Sequence, residues 1–176
     1  MQIAGTLDWQ PAADHPGLLA RPVAAAIDAL SLECFVAPID PTLADTAAFC
    51  TAYEVPLNVS ANCVVVAGRR AETSVMAACL VLATDRADVN GVIRKHLGVR
   101  KISFAAQDDA VASTGMEYGG ITPIGLPADW PVLVDEAVAQ AGPVVIGSGI
   151  RGSKLLLDGA ELAKVPTATV LDLTQH

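Results

Sequence analysis

A chain of 176 residues, 52% hydrophobic and only 4% aromatic, has the material for one domain with an aliphatic core, and residues 1–176 read as a single domain. No apolar run approaches the roughly 18–20 residues of a membrane span, the longest being 75–83, and residues 1–9 carry neither a basic nor a long apolar stretch. A cytoplasmic protein with no membrane partner is therefore expected, and the net charge of −8 argues against DNA or nonspecific nucleic-acid binding, which needs clustered Lys and Arg.

The charge is unevenly spread. Arg21 is the one base in residues 1–61, whereas the remainder carries pairs at Arg69-Arg70, Arg94-Lys95 and Arg100-Lys101, enough for a small local basic surface. Cys34, Cys50, Cys63 and Cys79 form no CxxC pair and sit in apolar surroundings, with His15, His96 and His176 the only histidines. They read as buried, reduced thiols; no metal and no cofactor is expected.

In chain order, Pro22 suits the first turn of a helix whose Val23, Ile27 and Leu30 recur on one face. Residues 32–37 read as a strand closed by the turn-prone 38–41. Asp45 is placed to cap a second helix through Tyr53, with Phe49, Ala52 and Tyr53 facing inward. Residues 63–67 and 74–83 are continuous apolar runs around a polar 68–73 connection, the pattern of a hairpin buried on both faces. Asp88 caps the next helix, with Val89, Val92, Ile93 and Leu97 on one side and Gly98 as its stop. A strand over 101–104, a helical turn over 108–113, strands over 132–134, 144–146 and 155–157, and a short helix over 158–164 complete the order. The fold class is mixed α/β: a central mixed, partly barrel-like sheet with helices packed outside it.

Residues 115–125, Gly-Met-Glu-Tyr-Gly-Gly-Ile-Thr-Pro-Ile-Gly, hold four glycines and a proline in eleven positions. Such a loop lets a ligand approach bare backbone and can present N–H groups to an anion or a developing oxyanion, or it can be a tight structural turn. The run Gly119-Gly120-Ile121-Thr122-Pro123-Ile124-Gly125, preceded by Thr114-Gly115, resembles the glycine loop of the YbaK/prolyl-tRNA synthetase-associated domain family, which includes free-standing aminoacyl-tRNA deacylases. The paired strands over 63–83, the stretch 85–98 and the strand–Gly149-Ile150-Arg151-Gly152–strand segment are similar to the family as well, so the likeness covers residues 42–165.

The resemblance implies an editing hydrolase acting in trans on the ester of mischarged tRNA. The implied partners are the aminoacyl-tRNA 3′ end and an aminoacyl-tRNA synthetase. Carried onto this sequence, it implies catalytic roles for Asn62, Gly119 and Gly120. Substrate contacts would come from Gly115, Ile121, Thr122, Pro123, Gly125, Asp135, Ser148 and Gly149. An activated ester needs chiefly positioning and oxyanion stabilisation, which backbone N–H groups supply. One departure matters: the family's deacylases place a lysine where Asn62 stands, and an amide makes only neutral hydrogen bonds. That departure keeps open a catalytically silent binder of aminoacyl-tRNA or another small ligand.

Two further patterns carry alternatives. Gly147, Gly149 and Gly152 satisfy GxGxxG after a strand, with Asp172 about twenty residues on, which is a dinucleotide-binding pattern if a helix follows. Trp9 and Trp130 are suited either to stacking on a base or to capping the core.

Overall fold

The computed structural model describes residues 4–175; the first three residues of the 1–9 stretch and His176 lie outside them. Two sheets organise the chain. One runs β1 (Gln10–Pro11), β2 (Cys34–Pro38), β8 (Ser153–Asp158) and β7 (Pro143–Gly147). The other runs β5 (Lys101–Phe104), β3 (Ala61–Arg70), β4 (Thr73–Leu82), β6 (Val132–Asp135) and β9 (Ala168–Leu171). A parallel bridge from Ser60 to Val145 joins β3 to β7, giving the partly closed, mixed arrangement that the order of elements implied.

The helices form for the local reasons visible in the sequence. In α1 (Arg21–Leu30), Pro22 occupies the first turn and Val23 and Ile27 are buried. The carboxylate of Asp45 accepts from Ala48 N at 3.3 Å and starts α2 (Thr46–Tyr53). Asp88 accepts from Gly91 N and Val92 N to start a π-helical turn, Val89–Ile93, that runs into α3 (Arg94–Leu97); Gly98, at φ +65°, ends it. The helices α4 (Gln107–Thr114) and α5 (Glu136–Ala139) precede the glycine loop and follow β6 respectively.

The largest apolar cluster joins Val23 and Ile27 of α1 to Val36, Leu80, Ile146 and Leu155 of the two sheets. Met116 and Ile124 of the glycine loop are buried in the same cluster, so the loop is fastened at both ends by its own side chains. Trp9 is buried with its indole donating to Ala4 O at 2.7 Å, and Trp130 is buried too; both cap the core, so the base-stacking alternative does not hold for either.

Four sequence expectations need correction. Ala52 points to solvent, and Cys50 joins Phe49 on the inner face of α2. The β3–β4 strands run longer than the apolar runs and meet at the tight turn Ala71-Glu72, and β3 is only half-buried along 62–65, where it borders a cleft rather than a core. The segment Gly159–Lys164 is a 3-10 helix capped by Asp158. The GxGxxG pattern fails because β7 turns directly into antiparallel β8: no helix follows Gly147, and no helix N-terminus is there to hold a pyrophosphate.

Candidate active site

A cleft of about 480 Å³ opens where the start of β3, the start of α2, the end of β5, the glycine loop and the β7–β8 end of the other sheet converge. That volume suits a small polar ligand. Asp45 and Thr46 line it from α2, Asn62 and Cys63 from β3, Phe104 and Gln107 from around β5 and α4. Tyr118, Gly119 and Ile121 line it from the loop, and Gly147, Arg151 and Lys154 from the β7–β8 side.

Asn62 is half-buried on this wall. Its Oδ1 accepts from Thr46 Oγ1 at 2.5 Å, which assigns the amide NH₂ to the other side, where it has no partner among the described residues. Burial, with a smaller contribution from Cys79, pushes the thiol of Cys63 beside it up and disfavours the thiolate.

The glycine loop is held by a bracket and a clamp. Glu117 N donates to Gly149 O at 2.9 Å and Gly149 N donates to Gly120 O at 2.7 Å, tying the loop to the β7–β8 turn. The Arg151 guanidinium donates to Tyr118 O and to Pro41 O, both at 3.1 Å, while its backbone N–H donates to the Glu117 carboxylate at 2.8 Å. Within the bracket the N–H of Gly120 donates to Glu117 O at 2.9 Å, so it is committed to the turn. The N–H groups of Gly119 and Ile121 have no partner among the described residues, and both residues line the cleft. Gly119, at φ +86°, is in the left-handed region, and a Cβ there would collide with the Arg151 guanidinium.

The remaining sequence candidates lie outside the lining of this cleft. Gly115 ends α4 at φ +69°. Thr122 and Pro123 are buried behind the loop, with Thr122 Oγ1 unpaired. Gly125 lies against the Pro22 carbonyl, too close for a Cβ. Asp135 is buried far along β6, accepting from Leu173 N at 2.8 Å and Ala137 N at 3.2 Å. Ser148 is buried and hydrogen-bonded to Ser153 Oγ at 2.7 Å, under the turn rather than in the cleft. Gly149 works through the bracket.

Sequence reasoning missed Thr46, Phe104, Arg151 and Lys154. Lys154 stands in a central strand, between β2 and β7, and is only 8% exposed. Its Nζ donates to Ala44 O at 3.0 Å and lies 5.1 Å from the Phe49 ring centroid. Burial pushes the Lys154 ammonium below the ordinary lysine range; Cys50 and Asp45 pull it back up and Arg151 lowers it further. The signal was legible: a lone charge opens the otherwise apolar run Lys154-Leu155-Leu156-Leu157. Two basic pairs do meet, Arg69 lying opposite Lys101 in the β3–β5 ladder, at the end of β3 away from the cleft.

The described helices include none long and apolar enough to cross a membrane. Among solved structures, a proposed trans-editing enzyme for prolyl tRNA synthetase superposes with a TM-score of 0.74 at 21% identity, covering 89% of this chain and 97% of that one. The hypothetical protein APE2540 superposes at 0.77 and 21% identity, over 88% of this chain and 100% of that one. At such identities the likeness is one of fold. The family model for the aminoacyl-tRNA editing domain matches residues 40–165, the span over which the glycine loop, the β3–β4 strands and the β7–β8 turn lie. The chain belongs to the aminoacyl-tRNA editing domain family.

Proposed function

We propose that the chain is an aminoacyl-tRNA deacylase that cleaves the ester of mischarged tRNA in trans. The observation that carries this reading is the donor set of the cleft. The N–H groups of Gly119 and Ile121 and the Asn62 amide border one 480 Å³ space without intramolecular partners. Donors fixed in advance around one point stabilise a carbonyl oxygen as it becomes an oxyanion, each worth roughly 2.7–4 kcal/mol in other enzymes.

In the proposed reaction a water attacks the ester carbonyl carbon and the bond to the ribose oxygen breaks. The proton lost by the water ends on that oxygen, leaving a free amino acid and a tRNA with its 3′ hydroxyl restored. The ribose hydroxyl next to the ester is a group that only RNA offers for orienting the water. Phe104 and Tyr118 border the cleft and are 69% and 54% exposed, giving the terminal base aromatic faces on which to stack. The net charge of −8 fits recognition of an unpaired 3′ end better than recognition of a duplex backbone.

Incubation of the protein with a panel of mischarged tRNAs, following released amino acid, tests the proposal. Release faster than in buffer for at least one pair supports it. Saturable binding of those tRNAs with no release would favour the silent-binder alternative that the asparagine at position 62 raises.

A further inference from the structure

We propose that Lys154 is the cleft's functional cation: its ammonium contacts the aminoacyl ester and holds the carbonyl oxygen as that oxygen becomes negative. This rests on the deacylase reading above and adds to it a residue that acts from the opposite sheet to Asn62.

Lys154 pairs with Gly147 across β7–β8, and Gly147 is itself packed against the glycine loop: a Cβ there would lie 2.7 Å from Gly120 O and 2.9 Å from Ile121 O. Two residues beyond the Ser60–Val145 bridge, Asn62 and Gly147 both line the cleft. Asn62, the bare backbone of Gly147 and Lys154 therefore succeed one another on neighbouring strands, beside the loop segment whose N–H groups are unpaired. The lysine on β3 that the family resemblance implied is absent here, and Lys154 lines the same cleft from β8.

An ammonium carries three donors, and Ala44 O is the one hydrogen-bond acceptor it meets among the described residues. No carboxylate forms an ion pair with it; the one ion pair found among the described residues joins Lys164 to Glu161. Asp45 and the Phe49 ring favour the charge from a distance, yet burying a cation with no carboxylate in ion-pair contact is unfavourable for folding, and an apolar residue would continue the leucine run more comfortably. The hydrogen bond to Ala44 O uses one donor and the Phe49 ring meets the charge at 5.1 Å, which leaves two N–H donors of a cleft-lining ammonium without an acceptor among the described residues. A partner that is negative only during the reaction gives it one, because an interaction gained in the transition state accelerates the chemical step.

The test compares wild type, Lys154→Met, Lys154→Arg and the double variant Asn62→Lys/Lys154→Met on the best mischarged tRNA of the panel, in single turnover. Lys154→Met should slow release by about tenfold to a hundredfold while KM for the tRNA stays within about threefold. Lys154→Arg should retain most of the rate, and the double variant should recover part of it by returning an ammonium from β3. Asn62→Lys alone should bring no gain, since it adds like charge beside Lys154 and Arg151. A second measurement does not depend on how the Met variant folds. After subtraction of the buffer reaction, the wild-type rate should fall as pH rises through the lowered Lys154 range, and Lys154→Arg should not show that fall. Asp45, Cys50 and Arg151, which face the ammonium, and Cys63 and Tyr118 in the cleft are common to both proteins, so the difference isolates Lys154. A Met variant as fast as wild type, or identical pH profiles for wild type and Lys154→Arg, would overturn this inference alone. A wild type inactive on every mischarged tRNA would overturn it together with the deacylase reading.

Discussion

Thr46 Oγ1 donates a hydrogen bond of 2.5 Å to Asn62 Oδ1, linking the first residue of α2 to the second residue of β3. The contact decides what Asn62 offers the cleft. With its oxygen engaged by Thr46, the side chain turns its NH₂ outward and becomes a donor, in keeping with the N–H groups of Gly119 and Ile121.

Thr46→Val keeps the shape of that residue and removes the hydroxyl. One neutral hydrogen bond is worth about 0.5–1.5 kcal/mol, so kcat/KM for deacylation should drop about twofold to tenfold as Asn62 loses its fixed orientation. Thermal melting should barely move, because the pair is only half-buried. The Asn62 side-chain amide resonances report the same event directly: they should shift and broaden in the variant.

Phe104→Ala tests the aromatic rim. The ring is 69% exposed, so its removal should change stability by less than about 0.5 kcal/mol. Stacking of a base on an aromatic ring is worth about 1–3 kcal/mol, which places the expected rise in KM for a mischarged tRNA at about fivefold or more, with kcat little changed. An unchanged KM would remove Phe104 from the substrate surface.

Gly120→Ala distinguishes a loop that a ligand touches from a loop that is braced. A Cβ at Gly120 would lie 2.6 Å from the backbone C and O of Ile150 and 2.9 Å from its N. The bracket must spread, so the variant should lose about 1–3 kcal/mol of stability as well as activity. Gly17→Ala is the control: nothing lies within 4 Å of its Cβ position, and melting and turnover should both match wild type.

Much of the framework was legible in the sequence because its signals are local. Asp45 and Asp88 each cap the helix they precede, and Gly98 ends a helix in the left-handed conformation. The cleft was legible only in part. Asn62, Gly119 and Ile121 could be located by motif, whereas Lys154 and Phe104 reach it through strand pairing between residues distant in sequence, Ala37 with Lys154 and Val66 with Phe104. Gly120 and Ser148 drew attention for their residue types, yet one N–H is committed to a turn and one hydroxyl lies under it. Motif spacing records which residues are present and leaves open which hydrogen bonds they have already made.

Asp135 illustrates the same distinction and yields a prediction of its own. Its carboxylate is buried, caps α5 through Ala137 N and secures the C-terminal segment through Leu173 N. Asp135→Ala leaves two backbone donors unpaired and should cost about 2–4 kcal/mol. The folded fraction should deacylate with wild-type kcat and KM, measured well below the variant's melting temperature. A kcat defect in fully folded protein would return Asp135 to the substrate surface.

The proposed activity is hydrolysis, in this cleft, of the ester of a mischarged tRNA supplied in trans. Its most direct measurement is the first-order loss of labelled amino acid from each mischarged tRNA at neutral pH, with and without protein, followed by recharging of the recovered tRNA. For at least one pair the ester should decay about a hundredfold or more faster than in buffer. The freed tRNA should accept its amino acid again, because the bond broken is the ester and the 3′ hydroxyl is restored. Decay at the buffer rate for every mischarged tRNA, from protein that is folded and monodisperse, would contradict it.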